Sequence, residues 1–197
     1  MRLVLATSNK GKLKEIQEYC NELEVIPYNE LIEEFEIVED GSTFAQNAVI
    51  KAQAVYDALG DDSIVVLSDD SGISIDALGG EPGIYSARYA GEDANDKENL
   101  NKAVKELKSR GFEYSTAHYT AAMAIVSKYG VQTVHGWMYG KVITSPKGEN
   151  GFGYDPMFVP YGFDKTIAEL QSDVKKSLSH RSKALQNAQV VLRSIKL

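Results

Sequence analysis

One cysteine, Cys20, occurs in 197 residues. That excludes a disulfide framework and a cysteine-rich zinc site within one chain. Cys20 falls on a helix expected over residues 11–20, where a packing role suits it better than reactivity. Long hydrophobic runs are also missing: none approaches the roughly 18 apolar residues of a membrane span. Met1-Arg2-Leu3-Val4-Leu5 leads straight into a strand, with no signal-peptide core or cleavage site, so a reducing cytoplasm is the expected compartment. Positive charge is short as well, with 21 Lys and Arg against 28 Asp and Glu and a formal net charge of −7. Without an overall positive field the chain is not a general binder of nucleic acid or of membrane surfaces. A local group of lysines can still hold one small anion. Internal repeats, low-complexity tracts and linkers are absent. His118 and His135 fall in expected strands without a partnering ligand motif, and read as structural.

What is present is a globular balance, 43% hydrophobic and 25% charged, enough for a substantial core. The length suits one domain, or one domain with a lobe. Strands are expected over 3–6, 23–26 (stopped by Pro27), 64–67 and 73–75, then over 119–127 and 131–138 around the turn Lys128-Tyr129-Gly130. Helices are expected over 11–20, from Thr43 as cap to Leu59 with Gly60 closing it, over 96–110, and over 182–196. Mixed strands and helices with a long antiparallel pair predict an α/β or α+β domain.

Ser68-Asp69-Asp70-Ser71-Gly72 follows directly on Ile64-Val65-Val66-Leu67, which reads as a buried strand delivering two carboxylates to its tip. Such acids resist burial unless a divalent metal or a lysine meets them; a solvated acid pair on a loop is the alternative. Thr7-Ser8-Asn9-Lys10-Gly11-Lys12 joins a strand to a helix N-terminus, where unsatisfied N–H groups and Lys12 can hold an anion. It is not a Walker loop, and an ordinary polar turn is the competing reading. Asn47 and Lys51, at i and i+4, share one helix face. If Glu39, in the acidic connector over 30–40, folds towards Asp70, the two supply hard oxygen ligands suited to Mg²⁺. Asp40 beside it competes for that place. In Gly148 to Pro156, glycines let the backbone approach a flat ligand and Phe152 offers a stacking face, unless Phe152 and Tyr154 simply fill core. Lys175-Lys176-Ser177-Leu178-Ser179-His180-Arg181 gathers donors in an acidic protein, with Ser179 also able to cap the last helix.

These segments, in this order, resemble the inosine triphosphate pyrophosphatase family, which acts on non-canonical purine nucleoside triphosphates. They are Thr7 to Lys12, Thr43 to Ala48 with Lys51, Ser68 to Gly72, GGEPGIYSARYAG over 79–91, GFGYDP over 151–156 and Ser179-His180-Arg181. Ser8 stands where many relatives have glycine. The resemblance implies an elongated, two-lobed α/β fold with a central mixed β-sheet flanked by helices and an active-site cleft, forming one nucleoside-triphosphate pyrophosphatase domain over residues 1–197. It implies Mg²⁺-dependent hydrolysis of ITP, dITP and XTP to monophosphate and pyrophosphate by a homodimer. By matching position, Asp70 is the catalytic base and a metal contact, Glu39 a metal ligand, and Asp69 and Asn47 supporting residues. Thr7, Ser8, Asn9, Lys10, Gly11, Lys12, Lys51 and Ser71 handle the triphosphate. Phe152, Gly153, Tyr154, Asp155, Lys176, His180 and Arg181 bind nucleotide and recognise the base. Two alternatives remain at this point: a related pyrophosphatase for modified pyrimidine nucleotides, and a nucleotide sensor without catalysis. A substrate panel separates all three.

Overall fold

Residues 2–7, 10–20 and 23–195 are described by the structure, a computed structural model, except for the side chains at 10, 11, 14, 15 and 18. Of the residues assigned above to the phosphate turn, Ser8, Asn9 and the Lys10 side chain lie outside the described residues, and Gly11 is described only as part of its helix. Six strands, β1 (Arg2–Leu5), β2 (Glu24–Pro27), β3 (Ile64–Ile75), β4 (Tyr114–Ser127), β5 (Gly130–Ile143) and β6 (Phe158–Pro160), are ordered β2-β1-β3-β4-β5-β6 in one sheet. The helices are α1 (Lys10–Tyr19), α2 (Phe44–Leu59), α3 (Asp96–Ser109), α4 (Ser172–Leu178) and α5 (His180–Ser194). β1 runs parallel to both β2 and β3. β5 and β6 are antiparallel, and the two-residue link Lys128-Tyr129 between β4 and β5 is one that only antiparallel strands can make. The sheet is therefore mixed. Among the described residues, no helix is long and apolar enough to cross a membrane.

The chain packs as two compact units, Met1–Asp70 with Ala121–Gly136 and Arg181–Leu197, and Ser71–Thr120 with Trp137–His180. In the first, successive strand residues point to opposite faces and both faces are covered. Leu3, Leu5, Val65 and Leu67 pack with Ile16 and Cys20 near α1 and with Leu185 and Leu192 of α5. Val4, Ile64 and Val66 pack with Ala48, Ala52 and Val55 of α2. Strands buried on both sides read as continuous apolar runs, which is why Ile64 to Leu67 shows no alternation. The second unit buries Ile73 and Ile75 with Leu100, Ala103 and Leu107 of α3, together with Tyr119, Met138 and Phe158.

Three expectations are corrected. The acids do not cap a short strand, because β3 is a single strand of 12 residues that continues through them. What ends there is its parallel neighbour: the β1 register stops at Leu5↔Leu67, and the Ala6 N–H donates to the Leu67 carbonyl at 2.9 Å as the chain leaves. β2 does end at Pro27, but Pro27 is itself the last strand residue, opposite Leu5, so the strand covers Glu24–Pro27 and not 23–26; on an edge strand a proline's missing N–H is tolerated. β4 and β5 extend beyond the expected ranges, because polar residues such as Ser115 and Thr116 occupy their partly exposed ends.

α2 carries both of its expected signals. Thr43 accepts a hydrogen bond from the Gln46 N–H at 3.1 Å, and Gly60 takes a left-handed φ of 59°. Thr43→Ala should cost about 1 kcal/mol and lower the thermal midpoint by about 2–4 °C, measurable by circular dichroism.

Candidate active site

Alternation along β3 sends its two acids to different helices. Asp70 continues the Ile64, Val66, Ser68 face, which lies against α2; Asp69 continues the Val65, Leu67 face, which lies against α1 and α5. The Ser68 hydroxyl donates to the Ala48 carbonyl and ties β3 to α2. One turn further along α2, the ammonium of Lys51 sits 3.1 Å from Asp70 Oδ1 and 2.6 Å from Glu39 Oε2.

Glu39 reaches this place because Asn47, buried on the same helix, accepts the Gly41 N–H on Oδ1 at 2.9 Å. A Cβ on Gly41 would stand 2.6 Å from that oxygen and 2.8 Å from Gln46 Cβ. Gly41→Ala is therefore expected to displace the 39–41 segment. Turnover should fall about tenfold while the far-ultraviolet spectrum of the protein is preserved.

Burial pushes the Asp70 carboxyl above the usual carboxylate range and the negative Glu39 adds to it; Lys51 and Lys12 offset this only in part. For Lys51, burial alone would lower the pKa, but Asp70 and Glu39 outweigh it and keep the ammonium charged. Asp70 Oδ2 is buried with no hydrogen-bond partner among the described residues. An orphaned carboxylate oxygen beside a second carboxylate suits a hard divalent cation. Among the described residues no group of three or more His, Cys, Asp or Glu gathers into a metal cage. Mg²⁺ tolerates this, because it commonly takes one or two carboxylates and completes its shell with water and substrate phosphate.

Asp69 is 3% exposed and serves the other face. Its Oδ2 lies 2.8 Å from Lys12 Nζ on α1 and 3.4 Å from Arg181 Nε on α5. Lys12 also donates to the Asp69 carbonyl at 3.3 Å. Burial alone would raise this carboxyl, yet Lys12 and Arg181 hold it far below the usual range. Arg181, expected to recognise a base, is itself only 6% exposed and spends its Nε on Asp69. Thr7 lies in the connection from β1 to α1, and Ser71 follows Asp70 on β3.

The second unit gathers a different set. Asp155 Oδ2 accepts the Phe152 N–H at 3.1 Å and pairs with Lys175 Nζ at 2.6 Å. That ammonium stands 5.0 Å from the centre of the Phe152 ring, which is 61% exposed. Gly151 has φ 89°, and a Cβ there would run into Asp155 Oδ2, so the tight loop needs glycine. The Gly153 N–H donates to Asp96 Oδ2 at 2.9 Å. Tyr154 is core: buried, it donates its hydroxyl to the Ser86 carbonyl at 2.8 Å. His180 opens α5 with its ring stacked on Tyr119, while Lys176 is exposed on α4. The sequence places Lys175 and Lys176 in one donor cluster but gives only Lys176 a binding role, and it gives none to Asp96, Ser86 or Tyr119. Nothing in the spacing separates Lys175 from Lys176; only the fold brings one of them to Asp155.

A model of the Ham1 family matches residues 3–190. The chain belongs to the Ham1 family. Its similarity to individual relatives covers nearly the whole chain. It is 59% identical over 199 residues to the dITP/XTP pyrophosphatase of Sulfurimonas denitrificans, covering 99% of this chain and 100% of that one. It is 55% identical to the dITP/XTP pyrophosphatase of Nautilia profundicola, covering 99% of each. Among solved structures, the Staphylococcus aureus Ham1 protein superposes with a TM-score of 0.90 at 36% identity, covering 100% of both chains. A HAM1 protein from Coxiella burnetii gives 0.89 at 36% identity over 99% of this chain and 100% of that one. The resemblance carried by the ordered motifs is borne out, and so is the α/β fold with a mixed sheet that it implied, a sheet that has six strands.

Proposed function

We propose that this Ham1-family protein hydrolyses the non-canonical purine nucleoside triphosphates dITP, XTP and ITP to monophosphate and pyrophosphate, with Mg²⁺, as a homodimer in the cytoplasm. The observation that carries the proposal is the convergence of Glu39 and Asp70 on Lys51, with Asp70 Oδ2 buried and lacking a hydrogen-bond partner among the described residues. The end-to-end identity to relatives named dITP/XTP pyrophosphatases supports the substrate class. The buried lone Cys20 suits a reducing compartment.

Glu39 and Asp70 are the residues that would hold Mg²⁺. When bound, the ion neutralises charge on the phosphate oxygens and on the departing pyrophosphate. Water adds to the α-phosphorus, the bond from that phosphorus to the α–β bridging oxygen breaks, and pyrophosphate leaves with the bond's electrons. Asp70 takes the proton of the attacking water, a task for which a carboxyl raised above its ordinary range is a stronger base. Lys51 holds Asp70 in place, and its charge, with that of Lys12, favours an anionic ligand. In the second unit Phe152, Lys176 and His180 are assigned to the nucleotide, with the Lys175 ammonium beside the Phe152 ring. Donors aimed at a 6-oxo group would be left unpaired by adenine's 6-amino group, enough for roughly 10⁴-fold discrimination.

Purified protein with Mg²⁺ should release pyrophosphate from dITP, XTP and ITP far faster than from ATP or GTP, and chelation with EDTA should stop the release. Orthophosphate as the product, or equal turnover of ATP, would overturn the proposal.

A further inference from the structure

Tyr119 of β4 has no role in the chemistry above, yet it touches a residue assigned to the base. It is 7% exposed and lays its ring on the His180 imidazole with centroids 4.8 Å and planes 10° apart. Phe158 packs on the same ring at 4.8 Å with a 55° tilt, which leaves the phenol little room to turn. The Tyr119 hydroxyl is buried, and burial together with the Asp155 carboxylate puts its pKa far above the phenol range, so it stays neutral.

Nearly parallel planes at that centroid distance make an offset stack, one of the favoured aromatic geometries, and a ring stacked in this way on the imidazole restrains its plane. His180 begins a helix, and its ring torsion is a broad, soft one. A planar donor recognises a base oxygen only while its N–H vector holds direction, and a wobble of tens of degrees weakens the bond steeply. Restraining that plane in advance is a form of pre-organisation.

We propose that Tyr119 is a positioning residue that sets nucleobase selectivity through His180, its ring holding the imidazole plane against which the purine is read. This rests on the pyrophosphatase reading given above. The ring, not the hydroxyl, does the positioning, so phenylalanine should replace it and an aliphatic side chain should not.

The experiment is a double-mutant cycle on the full chain, with kcat and KM measured for XTP and GTP. Tyr119→Leu should raise KM for XTP about tenfold and narrow the XTP-over-GTP preference by a similar factor, with kcat little changed. Tyr119→Phe should stay within about twofold of wild type. In a His180→Ala background, Tyr119→Leu should add less than about twofold, because the residue it acts through is gone. Equal effects of Tyr119→Leu in both backgrounds, a loss confined to kcat, or a Tyr119→Phe variant as poor as the leucine one would each overturn the proposal. Should the leucine variant not fold, Tyr119→Phe and proton NMR decide. The His180 ring protons, identified by their loss in His180→Ala, should be shifted upfield by the stacked ring in wild type and in Tyr119→Phe; unshifted signals overturn the proposal. If wild type releases no pyrophosphate from any purine triphosphate, the functional reading fails and takes this role with it. If wild type is active and the cycle is additive, only the role of Tyr119 fails.

Discussion

Asp70→Asn is expected to lower kcat for XTP by about 10³-fold while nucleotide binding survives. The amide has the shape of the carboxylate but cannot take a proton from water, and it is a weaker ligand for a hard cation. Asp70 combines partial burial, a raised pKa and a buried oxygen without a hydrogen-bond partner among the described residues, and each of these would be a cost in a purely structural acid. Single-turnover measurement of pyrophosphate, beside equilibrium binding of the nucleotide, separates chemistry from affinity. Full activity in the variant would remove Asp70 from the base role. Tight binding without turnover in wild type would instead support a sensor.

Asp69→Ala is expected to act on stability first. Removing it leaves Lys12 and Arg181 facing each other without their shared counter-charge, Arg181 being almost fully buried. Breaking a buried ion pair from one side costs about 3–5 kcal/mol. In a chain of this size that is a fall of roughly 10 °C in the thermal midpoint. Lys12→Met should cost less, because Arg181 still pairs with the carboxylate and Lys12 is the more exposed partner. The pH dependence has a definite sign. The folded-state pKa of Asp69 is depressed, so its contribution is complete above the unfolded carboxyl value near 3.9. It is lost as pH falls below that value, through the folded pKa. Wild type should therefore lose stability over that acid range by an increment that Asp69→Ala lacks, measurable by urea unfolding at a series of pH values. An equal acid dependence in the two proteins would contradict the ion-pair geometry.

Element type was largely legible in the sequence. Thr43 and Gly60 mark α2 because capping is local chemistry, acting within a few residues of the chain. The stripe Leu100, Val104 and Leu107 marks α3 for a similar reason, since one helix face must meet a core. The identity of the chemistry-bearing segments was legible too, because acids, lysines and glycines set among apolar runs stand out by type. Strand ends were less so. The polar run Ser68 to Gly72 read as the tip of a short strand, and whether a polar stretch stays extended depends on what its neighbours bury, not on its own composition.

The tertiary structure decided which groups meet. Continuity of β3 through the acid pair divides it, one carboxylate going to Lys51 and the other to Lys12 and Arg181. Glu39 joins Lys51 through the Asn47 to Gly41 hydrogen bond, which no spacing along the acidic connector announces. Lys175 rather than Lys176 reaches Asp155, although the two are adjacent and identical in type. Local propensity is read within one turn or one strand, whereas ion pairs and ring stacks join residues tens of positions apart. The sequence by itself thus determined which residues carry charge and which elements carry them. Only packing decided whose charge each one faces.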